Sequence, residues 1–156
     1  MGNELSDTIK QDYGTNTWLI KQLIDGLTEN ESHLQLPFKT NCLNWILGHI
    51  LSRRNHALEL LSHPGFWDIE TMSLYRTGSG PIIDNGNARS FKLLYSDLTA
   101  SQDFLDTALE IKSQNDLAEV VETDRGEKPI WQHLKGLHWH ETYLIGQLEI
   151  LRAYAL

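Results

Sequence analysis

The fold is decided by the stretch HWHETYLIGQL, residues 138–148. Residues four apart on an α-helix lie on one face with their Cβ atoms about 6 Å apart, so imidazoles at positions 140 and 144 would share one metal ion. His140 occupies the first of these positions, and Leu144 occupies the second. The stretch therefore has the spacing of a metal-binding helix from which one ligand is missing.

Apolar residues on either side of this stretch recur at helical spacing. They predict a helix over residues 129–154, with Pro129 in the first turn, where a missing N–H is tolerated. His133 and His140 lie on one flank of its apolar stripe. The stripe consists of Ile130, Leu134, Leu137, Leu144, Leu148 and Leu151.

The same periodicity predicts three further helices, over residues 5–27, 41–61 and 88–112. Asn41 is a good cap for the second of them, because its side chain can accept a hydrogen bond from the first turn. His63-Pro64-Gly65 ends that helix. Four helices of this length predict an all-α chain.

The connection between the second and third helices, residues 64–87, is long for a compact domain. A long connection of this kind covers a site or crosses a helix bundle. We therefore expect a four-helix bundle with a crossover between helices 2 and 3, in one domain over residues 1–156. Several breakers interrupt the connection, namely Gly78, Gly80, Pro81 and Gly86.

A second informative stretch, NWILGH, covers residues 44–49. Together with His140 and Gly146-Gln147, it resembles the DinB-like superfamily of four-helix-bundle proteins. The usual pattern of that family is a histidine on helix 2 and a His-x-x-x-His pair on helix 4. The resemblance implies an up-down-down-up arrangement, in which helices 2 and 4 run antiparallel, and it implies a homodimer.

The resemblance also implies a site for a divalent metal, Zn or Ni. His49 matches the family's ligand on helix 2, and His140 matches the first histidine of the helix 4 pair. Leu144 stands in the place of the second. His56 and His133 lie seven residues from these two, about 10.5 Å along each helix, so one ion cannot use all four histidines. We expect His56 and His133 to form at most a separate polar layer.

Two imidazoles hold a divalent ion weakly, so a third donor is needed. The nearest in sequence are Glu141, Gln147 and His138. Glu141 projects from the apolar stripe, as Arg54 does on its own helix, and a charge that faces a core normally needs a partner. We therefore expect an ion pair between Glu141 and Arg54.

The aromatic residues Trp45, Trp131, Trp139 and Tyr143 have two interpretations. They would line the mouth of a pocket, or they would pack in the core or in a dimer interface. The lone Cys42 forms no intramolecular disulfide, and no neighbouring base activates it, so we expect a small, partly buried thiol.

Composition excludes several classes of function. A net charge of −8 opposes binding to nucleic acid, and Arg53-Arg54 is the only adjacent basic pair. No apolar run approaches the roughly 20 residues that span a bilayer, so we expect no membrane partner. The first residues lack the basic and apolar regions of a signal peptide, which predicts a cytoplasmic protein.

Two hypotheses on function remain. In the first, the chain is a DinB-like protein with a degenerate histidine-based metal site. The resemblance then implies an ion that activates a thiol cofactor or water for transferase-type or hydrolase-type chemistry. In the second, Leu144 marks the loss of the metal, and the bundle is a non-catalytic, dimeric binding or scaffold protein. The small-molecule ligand cannot be identified from the sequence.

Overall fold

The structure is a computed structural model that describes residues 3–82 and 87–156. Within these residues the chain is mostly helical, with seven helices and one two-stranded antiparallel sheet, so the expected fold class is confirmed at that level. None of the described helices is long and apolar enough to cross a membrane. Gly86, one of the breakers, lies outside the described residues. The helices are α1 Glu4–Ile24, α2 Glu29–Ser32, α3 Leu43–Leu60, α4 Ile69–Leu74, α5 Phe91–Glu110, α6 Gln114–Ala118 and α7 Ile130–Ala155, and the strands are β1 Val120–Thr123 and β2 Gly126–Pro129.

Each of the four predicted helices corresponds to one long helix, with differences at the ends. Helix α1 is capped by the Asn3 side chain, α5 by Ser90, and α7 begins directly after Pro129. The prediction of Asn41 as the cap of α3 is wrong, because Cys42 is the cap residue and makes no side-chain cap hydrogen bond. Its thiol is instead buried and donates to the Ile82 carbonyl at 3.7 Å.

The long helices surround a core that has two apolar halves. Helices α1 and α3 each contact both α5 and α7. One half of the core contains Ile20, Leu47 and Leu148, and the other contains Ile9 and Leu134. Buried polar residues lie at the level between the two halves: Asn16, Thr17, Ser52, Arg54, Asn55, Ser101 and Glu141.

The connection after α3 packs closely along that helix. The Asn55 side-chain oxygen accepts hydrogen bonds from the backbone N–H groups of Phe66 and Trp67, at 2.8 and 3.1 Å. Tyr75, which caps the short α4, is fully buried, and its ring lies on Gly48. A Cβ atom at position 48 would stand only 2.2 Å from that ring. Glycine is therefore required at position 48 for the connection to approach α3.

The polar segment before α7 contains structure that was not predicted from the sequence. It forms the short helix α6 and a hairpin, in which Val120 of β1 is paired with Pro129 of β2 and Thr123 with Gly126. The strands have four residues each, and their sequences, VVET and GEKP, lack the alternation of apolar and polar residues that identifies a strand. Gly126 has φ +91°, a conformation that glycine adopts most easily, and it fixes the turn.

Candidate functional site

The structure brings the side chains of His49 and His140 together across α3 and α7. Their Nε2 atoms are 3.3 Å apart, and the planes of the two rings are inclined at 84°. His49 is almost completely buried, whereas His140 is partly exposed. The two residues that the sequence singled out as metal ligands thus form a close pair at the edge of the core.

His49 is held in one orientation by its neighbours. Its Nδ1–H donates to the Tyr75 carbonyl at 2.6 Å, and the Trp45 ring stacks on it at 4.8 Å. Burial, together with the neighbouring His140 and Arg53, lowers the pKa of His49 to about 4, although the hydrogen bond to Tyr75 opposes the shift. At neutral pH the ring is therefore uncharged, and its Nε2 lone pair faces His140.

The stretch of residues 44–49 is explained by its contacts with Tyr75. The Tyr75 hydroxyl donates to the Asn44 side-chain oxygen at 3.0 Å, and Gly48 leaves room for the ring. Trp45 and His49 then contact each other one turn apart on the same face. The motif positions the carbonyl that orients His49. Sequence reasoning missed Tyr75, since its role depends on a carbonyl oxygen rather than on its side chain.

The surroundings of the histidine pair are positively charged. Burial lowers the pKa of His140, and the nearby cations Arg125 and Arg53 lower it further, whereas Glu141 opposes them. The same two arginines depress the pKa of His49. Positive neighbours disfavour a bound cation, so any metal at this position would be bound less tightly than by the histidines alone.

Two of the residues proposed as third donors are engaged elsewhere. Glu141 is bound by Arg54 through two hydrogen bonds of 3.0 and 2.6 Å, and both side chains are buried. The predicted ion pair is thereby confirmed, and it occupies the carboxylate. His138 packs against the Tyr13 ring instead, with ring centroids 5.4 Å apart. Gln147 is half-buried on α7.

Leu144 is buried in the apolar core, with 4% of its surface exposed. Within residues 3–82 and 87–156, no group of three or more His, Cys, Asp or Glu side chains is placed to share a metal ion. The donor set therefore fits a metal only in part. His49 and His140 provide two imidazoles at a suitable spacing, and no third His, Cys, Asp or Glu side chain of the described residues joins them.

His56 and His133 do not contact His49 or His140, and they do not contact each other. His56 is exposed and bonds to Glu59 at 3.1 Å. His133 is buried, and its Nε2–H donates to the Val121 carbonyl at 3.0 Å. Both residues line one cavity without pairing, which agrees with the expectation of at most a separate polar layer. The unpredicted hairpin provides the partner of His133.

Of the four aromatic residues, two pack inside the protein and two are exposed beside the histidine pair. Trp45 is buried on His49, and Trp131 packs against the core. Trp139 and Tyr143 are exposed and stack on each other at 6.1 Å, and the Tyr143 ring lies 6.4 Å from His140. The exposed pair therefore borders the histidine site. Burial raises the pKa of Cys42, which agrees with an unreactive thiol.

No protein-family model matches the chain, and a search of curated proteins found no similar sequence. The site has to be interpreted from its own geometry and chemistry.

Proposed function

We propose that the chain is a DinB-like four-helix bundle with an up-down-down-up arrangement. Contacts between α1 and α7 support the parallel direction of these two helices. The Tyr13 hydroxyl donates to the Leu134 carbonyl, and eighteen residues further along α7 the Arg152 guanidinium donates to the Leu23 carbonyl. Residue numbers rise together on both helices, as expected for the first and last helices of this arrangement.

Contacts of α3 support its direction relative to α7 and relative to α5. His49 meets His140, whereas Leu60, eleven residues later, lines a cavity together with Ile130 near the start of α7. Residue numbers run in opposite directions, which supports antiparallel α3 and α7. Helix α3 and the segment containing α5 rise together, because Asn44 donates to the Arg89 carbonyl and Arg54 donates to Ser101.

The proposed function is binding of a divalent metal, Zn or Ni, by His49 and His140. The observation that carries this proposal is the distance of 3.3 Å between the two Nε2 atoms. Two nitrogens bound to one tetrahedral zinc, each about 2.0–2.1 Å from the ion, are also about 3.3 Å apart. Metal-bound histidines characteristically donate their other ring N–H to a carbonyl or carboxylate, as His49 does to Tyr75.

A bound ion would supply the activation of a small thiol or water that transferase-type or hydrolase-type chemistry requires. The residues of the chain would orient and shield the site. Tyr75 and Trp45 fix the His49 ring, and Leu144 lies in the apolar core one turn after His140. The rings of Trp139 and Tyr143, exposed in the single chain, would border the site on its outer side.

A second function, non-catalytic binding, is favoured by two observations. Leu144 is a buried apolar residue at the position of the missing ligand, and Arg53 and Arg125 repel a cation. Without a metal, the same 3.3 Å distance suits a hydrogen bond from the His140 N–H to the His49 lone pair.

Calorimetric titration of the untagged protein with zinc and nickel separates the two functions. We expect one ion per chain, and we expect the exchange of His49 or His140 for glutamine to abolish the heat of binding. His133→Gln is the matched control, because it removes a buried histidine of α7 that does not contact the pair. If the natural protein binds neither ion, the metal proposal is wrong and the non-catalytic function stands.

The homodimer implied by the resemblance remains part of this proposal. Helix α7 carries an exposed apolar stripe at helical spacing, formed by Trp139, Tyr143, Ile150 and Tyr154. We expect this stripe to pair with that of a second copy, because large exposed apolar patches commonly mark interaction sites. Sedimentation should give a dimer for the natural protein and a monomer for Ile150→Glu. A natural protein that sediments as a monomer would contradict it.

A further inference from the structure

A separate cavity of about 450 Å³ lies between α3, the hairpin and the start of α7. Apolar side chains form part of its wall, among them Leu60, Ile130 and Leu137. The guanidinium-bearing residues Arg53, from α3, and Arg125, from the hairpin turn, line the same cavity. Its size is that of a site for a small organic molecule.

The two arginines have no carboxylate partners among the described residues. Neither forms an ion pair within 4.0 Å there, in contrast to Arg54 and Arg89, which both do. The Nε atom of Arg53 is buried and has no hydrogen-bond partner in the described part of the chain. Burial lowers the pKa of Arg53, and repulsion by Arg125 lowers it further, whereas Asp124 opposes these effects. A buried donor without an acceptor is costly, so an anion placed between the arginines would be stabilised.

The remaining charges of the wall restrict the kind of anion. Four carboxylate residues line the cavity: Glu59, Glu119, Glu122 and Asp124. Glu59 is already engaged by His56 and Asn55. The other three are exposed and would repel a multiply charged anion such as phosphate more strongly than a monoanion. A planar carboxylate also matches the fork of a guanidinium group.

We propose that this cavity binds a small monocarboxylate with an apolar body. Its carboxylate lies between Arg53 and Arg125, and its hydrocarbon part lies against Leu60, Ile130 and Leu137. The site adjoins the histidine pair but uses none of its atoms, so this proposal does not depend on a bound metal.

The test is a titration of the ¹⁵N-labelled protein followed by NMR, with hexanoate as the probe and a metal chelator present. We expect saturable shifts at the amides of α3, the hairpin and the start of α7. The neutral 1-hexanol and inorganic phosphate should each bind more weakly, because one lacks the charge and the other lacks the apolar body. Equal or tighter binding of either compound, or no saturable shift with hexanoate, would overturn the proposal.

Two variants test the residues directly. Arg125→Gln should weaken hexanoate binding by at least about tenfold, because it removes a charge-assisted pair of hydrogen bonds, and Arg53→Gln should do the same. Lys128→Gln is the matched control, since it removes one charge from the same hairpin at a position that does not line the cavity. His140→Gln should leave hexanoate binding unchanged even if it abolishes metal binding. Arginine variants that bind hexanoate as the natural protein does would refute the assignment.

Discussion

Replacement of Leu144 by histidine should restore the His-x-x-x-His face at a defined cost in stability. Leu144 is 4% exposed within the core, and full burial of a leucine contributes about 1.5–3 kcal/mol. Placing a polar ring there adds about 1–3 kcal/mol where its nitrogens lack partners. We therefore expect the metal-free variant to lose about 2.5–6 kcal/mol, which for a chain of this size lowers the melting temperature by about 5–24 °C.

Added metal should reverse part of that loss. A third imidazole completes the minimum set of protein ligands of a catalytic zinc site, so the affinity should rise at least about tenfold. An ion at about a hundredfold its dissociation constant stabilises the folded state by about 2.7 kcal/mol. Calorimetric titration and thermal melting with and without zinc measure the two effects.

Leu148→His is the matched control for this experiment. Leu148 is also fully buried on α7, but it lies eight residues from His140, about 12 Å along the helix, and cannot share an ion with it. It should lose similar stability and gain no affinity for metal. If Leu144→His binds zinc no more tightly than Leu148→His, then Leu144 is not the vacated ligand position.

Three further predictions concern the residues that support the site. Arg54→Met leaves the buried Glu141 carboxylate without its partner and should lower the free energy of unfolding, measured in urea, by about 3–5 kcal/mol. Adding Glu141→Leu should recover most of this loss. A loss below about 1 kcal/mol for Arg54→Met would contradict the prediction. Gly48→Ala places a Cβ 2.2 Å from the Tyr75 ring, so it should lower the free energy of unfolding by at least about 1 kcal/mol and weaken metal binding. The control Gly146→Ala has open space around it and should be neutral or slightly stabilising. The metal-free protein should lose stability as the pH falls from about 6.5 to about 4. The pKa of His49 is about 4 in the folded state and about 6.5 in the unfolded state, so the unfolded state binds the proton first as the pH falls. Between about pH 7.5 and about pH 5 the natural protein should lose on the order of 2 kcal/mol more than His49→Gln, and equal losses would show that His49 is not the cause.

The helices could be predicted from the sequence because their signals are local. The apolar stripe of α7, the position of Pro129 before it and the breakers after α3 lie within a few turns of the residues that they govern. The hairpin could not be predicted, since its strands are held by pairing and by α7 rather than by their own pattern. For the same reason the sequence did not indicate that a hairpin carbonyl is the partner of His133.

For the candidate site, the sequence by itself determined which residue types are present and on which helix face they lie. It singled out His49 and His140 as candidate ligands, Leu144 as the position where the resembled pattern has a second histidine, and the need of Arg54 for a partner. The choice of these histidines came from the resemblance to the DinB-like pattern, whereas the face on which each residue lies follows from the period of an α-helix, which any segment carries in its own sequence.

Only the tertiary structure decided what surrounds these residues. The carbonyl of Tyr75 that orients His49 comes from a segment more than twenty residues away, and Arg125 approaches the histidines from the hairpin. Such contacts arise from the packing of distant segments. A backbone carbonyl is the same in every residue, so the sequence does not show which carbonyl accepts the hydrogen bond. The charge at the site and the orientation of its rings are therefore properties of the packing, whereas the identity of its residues is a property of the chain.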